Sequence, residues 1–374
     1  MNHHNIPYVI SIFIAITATH GVASARTAQQ HLYANSISAH NIAVIQHSIT
    51  NNAFQSFEGT ASAALGNRAE ITLPAISKII PTAGHNAPSH QYGTAAEYGE
   101  YGGDTGNIYG RSGGDGIYAL PTVNNIWAHW NAFGGNAALR GVSDLDSDYN
   151  LISIGTSVGR TQLGDGVYEL GAHAGFVGGT QENTSVTINE NGGYFGIYGG
   201  YKLRQLSISA AINMGALSNT AENNYGDDEY ANMWAGATTR IGYNMAIGNT
   251  FTLQPSIYAG FTWVKSANYI SESGQRVSND NFNFFEITPG LRAIKHITNG
   301  WFGIIDAKYV FIPQNGGSAS ATGIELRRDR FQHFAEYGIG IEKSIDRFNI
   351  SVTINRRDGD RDGWNGGAEI KYLF

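Results

Sequence analysis

The residues best equipped for chemistry in this chain are ionisable side chains set an even number of positions apart in strand-like segments. Glu169 and His173, Glu286 and Arg292, Asp306 and Lys308, and Glu369 and Lys371 are such pairs, and Arg240 and Glu336 stand singly in similar segments. In an extended strand each pair falls on one face. A carboxylate or imidazole held within hydrogen-bond reach of a reacting group can act as a general acid or base. The same residue types serve a plainer purpose where polar and charged groups line a water-filled interior and pair across it, and that is how we read them. Metal chemistry finds little support. His31, His40, His47, His85 and His90 are scattered without close ligand spacing. Asp144, Asp146 and Asp148 open like a calcium loop, but Tyr149 stands where the loop needs Gly and Gly155 where it needs Glu. The run from Asp358 to Gly363 reads as a loop tip. With no Cys, thiolate catalysis, disulfides and Cys-ligated metal are excluded.

The elements that would position these groups are strands. Phe348 to Asn355 alternates apolar and small polar residues strictly, and Leu206 to Met214 nearly so. Strands are expected near 125–134, 148–160, 166–178, 191–202, 204–216, 229–243, 250–264, 282–297, 300–312, 329–343, 346–356 and 364–374. These twelve are joined by connections of alternating length. Tight turns fall at 202–205, 246–249, 298–300 and 344–347. Longer polar stretches fall at 178–190, 217–228, 265–281, 313–328 and 357–363. Pro255 and Pro289 cannot donate to a ladder, so a bulge or local break is expected at each. The final strand puts Ile370, Tyr372 and Phe374 on one face and Glu369, Lys371 and Leu373 on the other.

Composition fits an all-β protein that meets lipid. Only 14% of residues are charged, against roughly 25% for a soluble domain. Mean hydropathy is nevertheless −0.22, far from that of a helical membrane protein. A transmembrane antiparallel β-barrel reconciles the two values, because apolar outward and polar inward residues average out, and closure leaves no free edge. Trp127, Trp130, Trp234, Trp263, Trp301 and Trp364 lie in or beside strands, which suits aromatic girdles at the bilayer surfaces. A net charge of −7 argues against nucleic-acid binding.

Three regions precede or form this barrel. Residues 1–25 read as a signal peptide with an apolar core from Ile6 to Ala18 and cleavage between Ala25 and Arg26. Residues 26–123 form a passenger or linker region, Gly- and Tyr-rich toward its end. In it, Ile42, Ile45, Ile49 and Ala53 sit at helical spacing, although the many Asn, Ser and Thr residues around them weaken a helix. Residues 124–374 form the barrel domain.

Several stretches of that domain are similar to one family. They are Ile126-Trp127-Ala128, Thr252 to Phe261, Ile287 to Arg292, Ala335 to Glu342, and Arg361 to Gly367 running into Lys371-Tyr372-Leu373-Phe374. In order and spacing, residues from about 124 onward resemble the β-domain of type V autotransporters. Gly367, Ile370, Tyr372 and Phe374 match the family's barrel-assembly signal. The resemblance implies a twelve-stranded, monomeric outer-membrane barrel that helps its own passenger reach the cell surface, inserted into lipid by the envelope's barrel-insertion machinery. It also implies a helix through the pore just before the barrel, yet residues 96–123 are too Gly-rich to supply one. Some members cleave themselves between two asparagines with the help of lumen acids, and Asn124-Asn125 is an adjacent pair at the corresponding place. We expect no catalysis and no cofactor. The alternative to a translocator is a passive channel or structural barrel plugged by its N-terminal segment. A barrel protease or lipase would need a His/Asp or His/Ser cluster that the strands do not offer.

Overall fold

Twelve antiparallel strands follow one another around a ring, each hydrogen-bonded to the next and the last to the first. The computed structural model describes residues 41–55, 57 and 124–374, less 140–141, 164–165, 225, 313, 316–317, 322–323 and 328–332. The strands are β1 (Asn125–Leu139), β2 (Val142–Leu163), β3 (Gly166–Glu182), β4 (Val186–Leu203), β5 (Leu206–Asn223) and β6 (Gly226–Tyr243), then β7 (Phe251–Lys265), β8 (Phe282–Thr298), β9 (Trp301–Val310), β10 (Phe334–Ile345), β11 (Phe348–Gly359) and β12 (Arg361–Leu373). Closure runs along the β1–β12 seam, from Asn125 opposite Leu373 to Ala137 opposite Arg361. One more backbone bond, from Phe374 N to Asn124 O at 3.0 Å, finishes it.

One rim carries only tight connections, such as Arg204-Gln205 and Asp346-Arg347, and also both ends of the ring, Asn124 and Phe374. Arg204, Asn299 and Asp346 hold positive φ there, as short hairpin turns require. The opposite rim differs from the sequence expectation. Among the described residues, the stretches 178–190, 217–228 and 357–363 are mostly strand, not long loops. β3 and β4 pair as far as Glu182 opposite Thr187, β5 and β6 as far as Asn223 opposite Gly226, and β11 and β12 are separated by Asp360 alone. About 9–11 residues cross a membrane, so β2 to β6, at 17–22 residues, overshoot it on this side. Polar outward residues suit that overshoot. On β5 the exposed face changes from Ile208, Ile212 and Met214 to Ser218 and Glu222. Inside the extension, Leu145, Val186, Ile188, Ala221 and Tyr230 form an apolar cluster, and Tyr269 stacks on Tyr230 with ring centroids 5.0 Å apart. Segments of 265–281 and 313–328 pair in a small sheet of Tyr269–Ile270, Arg276–Asn279, Ser318–Ala321 and Ile324–Arg327.

Each proline interrupts one ladder. β6 stops pairing with β7 at Gly242 opposite Ser256, and pairing resumes in the same register at Met245 opposite Leu253, skipping Pro255. Gln254 Nε2 spans the gap with a 2.7 Å bond to Asn244 Oδ1. Beyond Gly290 opposite Lys308, β8 skips Pro289 and meets the chain again at Ile287 and Phe311.

The outer surface is apolar toward the tight-turn side, where Ile152, Phe195, Ile305, Ile339 and Val352 are exposed. Four tryptophans, Trp130, Trp263, Trp301 and Trp364, are exposed on this surface. Trp127 and Trp234 correct the girdle expectation, because both are buried on the lumen side. Inside, large rings lie across the glycine directly opposite on the next strand: Trp127 on Gly155, Tyr198 on Gly171, Tyr194 on Gly175 and Trp234 on Gly215. A side chain on those glycines would occupy the ring's place. Gly171→Ala should therefore displace Tyr198 and its 3.1 Å bond from Trp127 Nε1, costing about 1–3 kcal/mol by overpacking. A lowered urea midpoint in lipid vesicles checks this. Gly366→Ala, whose methyl meets only the Thr353 carbonyl at 3.5 Å, should leave the midpoint in place.

Candidate functional site: the occupied lumen

A twelve-stranded ring has room for one helix. With strands about 4.8 Å apart and tilted roughly 40°, its backbone diameter is about 24 Å. An inward layer of side chains reduces this to about the 10–12 Å of a single α-helix. Here that helix, α1, spans residues 41–55, and Phe57 is helical as well. Ile42, Ile45, Ile49 and Ala53 supply its apolar spacing, and all four are fully buried. The Asn and Thr residues that argue against a helix in water have partners on the wall. Asn52 donates to Ser153 (3.1 Å) and accepts from Asn131 (3.1 Å), and Thr50 accepts from Asn213 (3.0 Å). Their polar groups are satisfied without unwinding the helix. The lumen helix thus exists, but it lies far upstream of β1 rather than next to it.

α1 passes through two zones. Its first half, Ile42 to Ile49, sits in a collar of inward apolar side chains that includes Phe133, Tyr149, Leu151, Leu217, Trp234, Val264, Phe282 and Phe334. Gln46 is held within the collar, accepting from Trp234 Nε1 at 3.1 Å. Beside the collar lies a charged chain. Glu336 accepts from Lys308 and Arg357, each at 2.8 Å, and Lys308 Nζ also lies 3.3 Å from His47 Nε2. His47 Nδ1 is 2.5 Å from Glu286, which also accepts from Thr288 at 2.7 Å. A carboxylate can only accept, so Nδ1 is placed to donate to Glu286. A residual cavity of about 70 Å³ runs beside the second half of α1, lined by residues including Asn51, Arg240, Tyr258 and Arg292. It has room for a few waters.

The remaining ionisable groups singled out in the sequence also face inward. Glu169 is fully buried and bonded to Ser157 and Asn125. His173 Nε2 meets Asn213 Oδ1 at 2.8 Å. Arg240 donates to Ser256 at 3.4 Å, and Arg292 Nε reaches both oxygens of Asp306. Glu369 and Lys371 are buried 4.0 Å apart. The structure joins Glu286, Lys308 and Glu336 into one network and leaves Glu169 and His173 elsewhere on the wall. His47, Thr288 and Arg357 complete that network; the sequence singled out His47 only as a scattered histidine and the other two not at all, and the helical spacing around His47 was the available clue.

Asn124 and Asn125 lie at the start of β1 on the seam, not in the helix. The adjacent asparagines inside the lumen are Asn51 and Asn52. Gly155-Thr156-Ser157-Val158-Gly159 has the Gly-x-Ser-x-Gly spacing of a nucleophile elbow. It lies within β2, beside a register shift between Ser157 and Gly159, and not at a strand-to-helix turn. Among the described residues no three His, Asp or Glu side chains converge as metal ligands. On β12, Ile370 and Phe374 are exposed outward, Tyr372 packs 4.8 Å from Phe348, and Gly367 lies opposite Asn131. Ala25 and Arg26 fall outside the described residues.

Comparison with known proteins agrees with this geometry. The family model described as autotransporter β-domain matches residues 128–355. No curated protein sequence matches the chain. Among solved structures, the β-domain of the Bordetella autotransporter BrkA is similar at 16% identity and a TM-score of 0.55, over 67% of this chain and 100% of that one. The transport unit of AIDA-I from Escherichia coli gives 16% and 0.56, over 67% and 90%. The translocator domain of NalP from Neisseria meningitidis gives 12% and 0.54, over 68% and 89%. A closed ring of twelve strands around α1, together with a family match over more than half its length, shows that this chain belongs to the autotransporter β-domain family and is an outer-membrane translocator barrel.

Proposed function

We propose that the barrel carries its own N-terminal segment to the cell surface and then remains closed around α1, with no catalytic step of its own. The observation that carries this is the course of α1. Asn41 meets Tyr149 and Arg361 toward the long-strand rim, and Phe57 packs against Gly200 toward the tight-turn rim. Short turns face the periplasm in such barrels and the longer side faces out, so the chain preceding α1 emerges outside. Residues 1–25 act as the export signal, cleaved after Ala25, and the barrel-insertion machinery closes the β1–β12 seam in lipid, reading Gly367, Ile370, Tyr372 and Phe374 on the last strand.

An epitope inserted after Gln30 in the full chain should bind antibody on intact cells. If the epitope stays hidden while the folded barrel is present in the outer membrane, export fails as the function. The plugged-channel alternative then becomes the better account, and the apolar collar is the observation that favours it.

A further inference from the structure

α1 divides the chain in a way that its place in the sequence does not suggest. Its last residues, Ala53, Phe54 and Phe57, share one apolar cluster with Trp127 near the start of β1 and with Tyr198 and Tyr258. The Cβ of a residue replacing Gly200 would strike the Phe57 ring, and Gly200 is three residues from the end of β4 at the tight-turn rim. Asn124, where the described chain resumes, bonds to Phe374 at that same rim. Phe57 and Asn124, which bracket residues 58–123, therefore lie on one side of the barrel.

We infer that residues 58–123 stay on the periplasmic side and that only the chain preceding α1 is displayed. This rests on the outward orientation used in the proposed function. It divides the region 26–123, which reads as one passenger or linker, into parts on opposite sides of the membrane. For 58–123 to reach the surface, the chain would have to climb the lumen beside α1 and descend again. The lumen cannot admit two further passes. Ile42, Ile45 and Ile49 are fully buried within the collar, and the space beside the helix is about 70 Å³. α1 by itself takes up the roughly 10–12 Å that the inward side chains leave open, so no extended strand fits beside it. Residues 58–123 become Gly- and Tyr-rich toward their end, with Tyr98, Tyr101, Tyr109 and Tyr118.

The chain has no cysteine, so single-cysteine variants of the full protein can be labelled with a maleimide too large to cross the outer membrane. Ser273→Cys, at the exposed tip of the 271–274 turn, reports the outside, and Asn249→Cys, in a tight turn, reports the periplasm. Folding of each variant is checked by its mobility on unheated gels. Gln30→Cys should label on intact cells together with Ser273→Cys. Ser89→Cys should label only after the outer membrane is permeabilised, together with Asn249→Cys. Labelling of Ser89→Cys on intact cells while Asn249→Cys stays silent would overturn the inference. Silence of Gln30→Cys alone, with Ser89→Cys following Asn249→Cys, would defeat surface display and leave the placement of 58–123 standing. Labelling of Asn249→Cys in place of Ser273→Cys on intact cells would reverse the orientation and overturn both.

Discussion

Deleting residues 41–57 should turn a nearly silent barrel into an ion-conducting pore, with single-channel conductance in planar bilayers rising by an order of magnitude or more. Among the described residues, α1 and its collar fill the lumen around the first half of the helix. Around the first half of α1 the wall is apolar and in contact with apolar helix residues, and a dehydrated constriction of that kind blocks ions even where its radius would admit them. Among the described residues, water has room in the small cavity beside the second half. The ring does not depend on the helix for closure, since each strand is hydrogen-bonded to two neighbours along the whole circuit. Removal should leave an opening about as wide as the α-helix that filled it, roughly 10–12 Å. Ile45→Lys tests the seal more gently. A charge in the collar, where Ile45 is fully buried, draws water and should give brief, flickering openings. Unchanged conductance in the deletion variant, with the barrel folded, would mean that the wall itself closes the pore. If the intact protein conducts steadily, the plugged-channel account loses its plug.

The wall was legible in the sequence because each of its residues meets one of two environments, lipid or lumen, and the pleat alternates them. Phe348 to Asn355 shows this in eight residues, and the same parity places Glu169 and His173 inside. Parity also held information that residue type concealed. Trp127 shares its face with His129 and Asn131, so its burial in the lumen could have been read from position, whereas the preference of tryptophan for interfaces pointed outward. The hairpin extensions were misread for a related reason. Beyond the membrane both faces of a strand can be polar, and the sequences around 178–190 and 217–228 then look like loop even though their backbones pair to the tip. α1 was only half legible. Its apolar spacing was visible, but the partners that make its asparagines tolerable lie far along the chain, Ser153 for Asn52 and Tyr149 for Asn41. The contact between His47 and Glu286 spans 239 positions, and no local pattern could announce it.

That contact belongs to the network where the largest single-residue effect on stability is expected. Glu336 lies almost fully buried between Lys308 and Arg357, one carboxylate oxygen to each. Glu336→Ala would leave two cations facing one another across the gap with no anion between them. Removing one member of a buried ion pair typically costs about 3–5 kcal/mol, because the charge left behind has lost both water and partner. Here the value should fall toward the lower end, since Lys308 is partly open to the wet cavity and can turn into it. Arg357 has less freedom. It is buried, and its guanidinium also lies 5.4 Å from the Phe133 ring and 5.5 Å from the Phe334 ring, so it keeps its cation–π contacts but not its counter-charge. Glu336→Gln preserves the shape and one acceptor and should cost less. The decisive variant is the double substitution Glu336→Gln with Lys308→Met. It removes one charge of each sign and should recover part of the loss, a coupling that a role in packing alone would not produce. Urea unfolding in lipid vesicles, followed by tryptophan fluorescence, measures all three. If Glu336→Ala unfolds within about 0.5 kcal/mol of the parent, the range of an ordinary surface substitution, the network stabilises nothing, and α1 is held in the lumen by its apolar collar and its other hydrogen bonds to the wall.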